Sequence, residues 1–456
     1  MIVKQYFYPF CESLQSLCTK LQNCHGLHSL NDAYQSVIGI FPKWLYIVLQ
    51  PDQTLKQIRH GLTYEASMTQ QSFKSCIKQT WGENKLNSNA CCDAGSKLRF
   101  DGGLLGFVGY DLAASQFVSL KQIQAPAALM GEYDIFLRQE HNGWQLYGPD
   151  LAELIPVYNF IKNLLNDSVP QPSPTDLQIL KAFRPVWHKA QYRLAFKQIQ
   201  QYLQQGDCYQ VNLTQPFVAQ AEGSLLAAMD ALLHLTKAAY AGYTKYEDFE
   251  LLSCSPELFI EFGQQGEVIT RPIKGTRPRH ADPIQDEQLR QALLHSAKDR
   301  AENLMIVDLL RNDLSIYAQT GSVQVPKLFE VESFAQVHHL VSEIKATLKP
   351  DASPLDVLFA ALPGGSITGA PKIRAMQIID ELEAQARGAY CGSMGYLNYD
   401  GTGRFNILIR SLQKHGDMLT AWAGGGITVA SDGEEEYQEC LDKIGAILNC
   451  VNGLSV

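Results

Sequence analysis

The stretch from Tyr390 to Ala430 constrains the chain most. It reads as a strand meander turning at Asp400-Gly401 and His415-Gly416-Asp417, and three successive glycines, Gly424-Gly425-Gly426, interrupt it. Glycine loses the most backbone freedom on folding and gives a sheet no side chain to pack. Three together are kept where a ligand or another backbone must approach closely. Before the meander, Pro371 suits the first turn of a helix through Met376 and Leu382. After it, Ser431 and Glu434 form a possible capping box for a last helix with Tyr437, Leu441, Ile444 and Leu448 on its apolar stripe. Strand meanders with long helices predict a mixed α+β protein.

Upstream, residues 1–165 mix short helices with strands, including Lys43 to Leu49 and a hairpin from Tyr133 to Tyr147 that turns at Asn142-Gly143. The glycines of Gly102-Gly103-Leu104-Leu105-Gly106-Phe107-Val108-Gly109 are spaced somewhat like a dinucleotide loop. No clear strand leads in and an apolar run follows, so close backbone packing is expected instead. Residues 166–184 read as a linker, with three prolines and two serines between Asn166 and Asp176. In the second region, 185–456, Lys189 to Gln205 predicts an amphipathic helix stopped by Gly206. Leu251 to Ile273 reads as strand, turn, strand. Asp286 to Leu314 reads as one long helix, with Leu289, Leu293, Ala297, Leu304 and Leu310 on its buried side.

The 456 residues suffice for a large core, and 46% hydrophobic with 19% charged is a globular composition. A net charge of −9 argues against a general nucleic-acid binder, which needs clustered Lys and Arg. No apolar run approaches the ~20 residues that span a bilayer, and no signal peptide is visible at the N-terminus. The eleven cysteines form no CxxC pair, and Cys91-Cys92 is poor geometry for a disulfide. A cytoplasmic protein with reduced thiols is expected.

Three features carry chemistry. In Arg271-Pro272-Ile273-Lys274-Gly275-Thr276-Arg277-Pro278-Arg279 the prolines and glycine restrict the backbone around one lysine, so Lys274 is a candidate nucleophile on a basic loop. Asp299 and Glu302 stand three apart on one helix, and Glu436 and Glu439 three apart on another, a setting for an all-oxygen Mg2+ site if the helices meet. Glu302 also reads as a surface partner of Lys298, and Glu439 of Lys443. Gly364 to Lys372 resembles a phosphate loop but has Ala370-Pro371 where its Lys and Ser/Thr should stand; a carboxylate received by free N–H groups is the remaining reading.

The segments Pro272 to Arg279, Asp299 to Met305, Gly364 to Met376 and Gly424 to Lys443 together resemble the chorismate-utilising enzymes, most closely their aminodeoxychorismate-forming branch. The resemblance is continuous from about Tyr192 to the C-terminus and weaker before the linker. It implies two large, mostly antiparallel sheets stacked in one core with helices outside. It also implies a reaction of chorismate with ammonia through a covalent Lys274 intermediate, in 4-aminobenzoate and folate biosynthesis. Anthranilate synthases resemble this loop but carry alanine at the lysine position, so Lys274 argues against anthranilate or isochorismate synthase. The alternative of another class is a non-catalytic chorismate-binding or amino-acid-sensing subunit.

By the same resemblance, Glu257 is a general acid or base and His339 an active-site histidine. Ser366, Tyr390, Arg410, Lys443 and the glycines Gly424, Gly425 and Gly426 bind substrate. Glu302 and Glu439, with Asp299 and Glu436 nearby, hold Mg2+. A separate glutamine amidotransferase subunit supplies ammonia in a heterodimer, because the chain has no recognisable glutaminase cysteine motif. Ser29 and Tyr240 fall near positions that bind tryptophan in some relatives. The chain departs from the family at Ser315-Ile316-Tyr317, where Gly-Arg is common, and in lacking prolines at Thr236 to Tyr240.

Overall fold

The computed structural model describes residues 2–8, 12–32, 34–49, 54–59, 62–67, 70–85, 98–119, 121, 125–166, 176–334, 337–383 and 385–454. Cys91, Cys92 and residues 167–175 of the expected linker lie outside them. Two twelve-stranded sheets dominate, and every strand pairing within them is antiparallel. Both draw on both halves of the sequence. The first places Tyr240–Tyr246 beside His28–Asp32, and the second places Ser393–Asn398 beside Gly103–Val108.

The 166–184 segment is not wholly a linker. Gln178–Pro185 is a strand at the edge of the first sheet, paired with the long Gln210–Glu222 strand.

The sheets face one another across an apolar layer. Leu30, Val37, Phe249 and Leu251 of the first cluster with Leu45, Phe107, Leu129 and Met394 of the second. On the other face of the Phe107 strand, Gly106 shows why glycine stands in this run: a Cβ there would lie 2.1 Å from the Leu129 carbonyl oxygen, so the strands can pair only without one. The close packing expected for this glycine run is what the fold uses. Helices Leu14–Leu21, Ile155–Asn166 and Gly433–Asn452 supply residues to a second cluster, against the first sheet.

The helix from Lys189 to Gln205 ends at Gly206 in the left-handed conformation, as its spacing predicts. The single helix expected over 286–314 is instead two, Pro283–Leu294 and Ala297–Ser315. Ser296 interrupts it by accepting the Asp299 N–H as a new N-cap, a local bond that competes with helix continuation. Ala297 and Leu304 consequently face solvent. At the last helix the cap is Asp432, which accepts from Glu434 and Glu435 N–H groups; Ser431 donates to Glu436.

A buried ion pair ties the two halves of the second region together. Arg387 forks onto Glu383 (Nε to Oε2 2.8 Å, Nη2 to Oε1 2.7 Å), with both side chains at 2% exposure or less. Glu383 also accepts from the Thr214 N–H and hydroxyl, while Arg387 donates to the carbonyls of Asn212 and Ile367. Removing one partner strands the other charge away from water, at about 3–5 kcal/mol. Arg387→Met should lower unfolding stability by about that amount in urea titration, and Arg387→Met combined with Glu383→Met should recover part of it.

Candidate active site

Lys274 sits on a strand rather than a loop. Ile273–Pro278 pairs with Val337–Thr347, and the register shifts between Lys274 and Thr276. Gly275 supplies the bulge with φ +70°; a Cβ there would press on Asp299 at 2.8 Å. The two prolines suit an edge strand, where a missing N–H breaks no ladder.

The Lys274 side chain opens into a cleft of about 480 Å3. The same cleft is lined by Glu257, His339, Ser366, Tyr390, Arg410, Lys443, Gly424, Gly425, Gly426, Asp299, Glu302, Glu436 and Glu439. All fourteen expected catalytic, substrate and metal positions therefore converge. Ser29 and Tyr240 do not; they lie on adjacent strands of the first sheet, where Ser29 faces Tyr243 and Tyr240 faces Asp32.

Glu257 follows Ser255-Pro256 at the crossover from the Phe249–Ser255 strand of the first sheet to Leu258–Phe262 of the second. Ser255 holds the corner, accepting the Glu257 N–H and donating to the Ile407 carbonyl at 2.5 Å. Burial raises the Glu257 pKa above the ordinary carboxylate range, although Lys274, the Ile273 N–H and the Ser366 hydroxyl oppose the shift. Lys274 moves the opposite way. Desolvation lowers its pKa and the Lys443 charge adds to this, against Glu302 and Glu257. Both shifts favour a neutral amine beside a protonated carboxyl, which are the forms of a nucleophile and a general acid. The Lys274 Nζ is held by the Ser366 carbonyl at 3.1 Å.

His339 is buried next to Thr276, with its Nδ1 2.9 Å from the Thr276 hydroxyl. Burial, followed by the Arg410 charge, lowers its pKa to about 4, so the ring is neutral near pH 7. Arg410 adopts a left-handed φ of +52°, and among the described residues its guanidinium has no ion-pair partner. Tyr390 stacks on Trp422, with centroids 5.9 Å apart, to form an aromatic wall.

The four metal-candidate acids come from the Ala297–Ser315 and Gly433–Asn452 helices, which the fold brings to one end of the cleft. Three are held by cations: Asp299 by Arg277 at 3.0 Å, Glu436 by Lys298 at 3.4 Å, and Glu439 by Lys443 at 2.7 Å. Lys298 thus reaches across to Glu436 rather than pairing with Glu302, and Glu436 is buried. Burial would raise Glu439, but the Lys443 charge and hydrogen bond bring it below the usual range. Glu302 keeps a buried Oε1 with no hydrogen-bond partner, and burial raises its pKa. Among the described residues no three acids are gathered tightly enough to grip an ion as they stand. The all-oxygen donor set and the orphaned Glu302 oxygen nonetheless fit a hard divalent cation once the ammonium groups yield.

The glycine strand explains itself here. Gly425 lies opposite Leu213, and a Cβ on it would point 3.0 Å from Glu436 Oε2 and 3.4 Å from Lys443 Nζ. A side chain would fill the space between the strand and the acids.

Residues 46–449 match the chorismate binding enzyme family, and the chain belongs to it. It is 44% identical over 356 residues to aminodeoxychorismate synthase component 1 of Salmonella typhimurium, and 45% identical over 356 residues to the protein of that name from Escherichia coli; each match covers 77% of both chains. Among solved structures it resembles anthranilate synthase component I from Streptococcus pneumoniae, with a TM-score of 0.76 and 28% identity, covering 91% of this chain and 92% of that one.

The His339 environment makes stability depend on pH. The folded state resists protonation down to about pH 4, whereas the unfolded ring protonates near 6.5. Stability is therefore expected to fall as pH drops from 6.5 to 4, by about 3 kcal/mol from this group. Thermal melts of His339→Gln over that range should show a shallower decline than the parent chain.

Proposed function

We propose that the chain is the chorismate-aminating component of an aminodeoxychorismate synthase, converting chorismate and ammonia to 4-amino-4-deoxychorismate for 4-aminobenzoate and folate synthesis. The observation that carries this reading is the Lys274 amine in the cleft beside Glu257, with the pKa values of both drawn towards their neutral forms.

Lys274 forms a bond to ring C2, the two ring double bonds shift, and the C4 hydroxyl leaves as water with a proton from Glu257. The surplus proton on the lysine nitrogen returns to Glu257. Ammonia then forms a bond at C4, the double bonds shift back and the C2–Nζ bond breaks, returning the electron pair to Lys274. One proton from the nitrogen restores the lysine amine. Retention of the pyruvyl ether distinguishes this product from anthranilate.

Arg410 is suited to a substrate carboxylate because its guanidinium is unpaired and partly desolvated. Lys443, Ser366 and the Gly424–Gly426 backbone contribute further polar groups, Tyr390 packs the ring, and neutral His339 offers a hydrogen bond without charge. Glu302 and Glu439, with Asp299 and Glu436 beside them, would hold Mg2+, which would neutralise and orient a substrate carboxylate. A glutamine amidotransferase partner is the ammonia source in this reading, and the cytoplasm its location. No described helix is long and apolar enough to cross a membrane.

The test is incubation with chorismate, Mg2+ and ammonium, with product mass as readout. 4-Amino-4-deoxychorismate is expected without added partner, and Lys274→Ala should abolish it; unchanged turnover in that variant would sink the covalent route. Separately, calorimetric Mg2+ titration should detect binding that Glu302→Ala weakens by at least about tenfold. Equal affinity would remove Glu302 from the metal site.

A further inference from the structure

Asn212 lines the cleft but stands outside every motif that the sequence analysis singled out. It lies on the Gln210–Glu222 strand directly opposite Gly426 and is 6% exposed. Its backbone is locked: the N–H donates to Thr368 at 2.9 Å, and the carbonyl accepts from Arg387 at 2.8 Å. Its side-chain Nδ2 donates to the Ile367 carbonyl at 3.0 Å. That bond determines which way the amide faces, because only the nitrogen end can donate. No hydrogen bond reaches Oδ1 from any described residue, and the residue lines the cleft.

This oxygen differs from the polar side chains around it. The nearby charged groups are cations, which only donate, and carboxylates, three of which, Asp299, Glu436 and Glu439, are paired with cations of the cleft. Asn212 Oδ1 is a neutral acceptor with a fixed direction. Its position relative to the nucleophile is also set: Lys274 Nζ rests on the Ser366 carbonyl and Asn212 Nδ2 on the next one, Ile367. The two side chains are therefore seated on consecutive peptide units of one loop.

We infer that Asn212 binds and aims the attacking ammonia, its Oδ1 accepting an N–H hydrogen bond. This rests on the amination proposed above. As ammonia's lone pair forms the C4–N bond and the C2–Nζ bond returns its pair to Lys274, positive charge develops on the attacking nitrogen and its N–H groups become better donors. An acceptor already in place therefore gains strength in the transition state. A neutral oxygen suits the task better than a carboxylate, which would favour the ammonium ion, whose nitrogen has no lone pair to give.

The variant Asn212→Ala removes the acceptor while Arg387 still donates to the Ile367 carbonyl, at 3.1 Å. With saturating chorismate, kcat/KM for ammonia should fall about tenfold or more, the scale of one lost hydrogen bond at the transition state. The KM for chorismate should change by less than about threefold. Because the first step is untouched, mass spectrometry of quenched reactions should find more Lys274–substrate adduct in the variant than in the parent. Asn212→Ser, compared at equal thermal stability, should show the same split if the alanine variant folds poorly. An unchanged ammonia dependence, or parallel losses for both substrates without extra adduct, overturns the inference. If the parent chain itself forms no aminated product, the amination reading fails and this inference goes with it.

Discussion

The geometry of the cleft depends on one buried salt bridge that does not line it. Removing Arg387 and Glu383 from water costs several kcal/mol per ion, a cost offset only where hydrogen bonds saturate both groups. Here they do: the guanidinium forks onto the carboxylate and reaches the Asn212 and Ile367 carbonyls, while Thr214 supplies two more donors to Glu383. These bonds leave the Gln210–Glu222 strand and the Gly364–Thr368 loop little freedom relative to one another. Because that loop carries the Ser366 carbonyl that seats Lys274, a pair that does not line the cleft helps fix where the lysine amine stands.

Charge balance inside the cleft gives the second constraint. Three cation–acid pairs satisfy one another, and the cleft groups without an ion-pair partner among the described residues include the Arg410 guanidinium and the Glu302 carboxylate. The leftovers have opposite sign. An anionic substrate and a divalent cation complement them together better than either alone, since each brings the charge that the other and the cleft wall require.

Much of this was legible in the residues, for identifiable reasons. Gly424 to Gly426 announced close approach because composition alone carries that meaning, and the Gly206 helix stop was legible because left-handed caps prefer glycine. Lys274 was expected on a loop because its prolines and glycine mask an edge strand whose pairing with Val337–Thr347 is non-local. The break at Ser296 was hidden because apolar spacing continues through it, and the cap is a single side-chain bond. Lys298 reaching Glu436 was beyond reach, since a helix pattern shows only neighbours three and four residues away. Asn212 and Arg387 gave no signal at all. A polar residue on a strand looks the same whether it faces solvent, a cleft or a buried ion.

The division of labour between the sheets explains why so large a scaffold surrounds one cleft. Lys274 belongs to the second sheet, the glycine strand and Asn212 to the first, and Glu257 to the crossover between them. The separation of these cleft residues therefore depends on how the two sheets pack, which the layer of Leu30, Phe249, Phe107 and Met394 helps to set. Such a layer is nearly incompressible, and bulky side chains cannot shift without opening voids. Precision at the seam comes from the core as much as from the cleft side chains, so substitutions far from the cleft that thin this layer should shift the cleft residues before they unfold the chain.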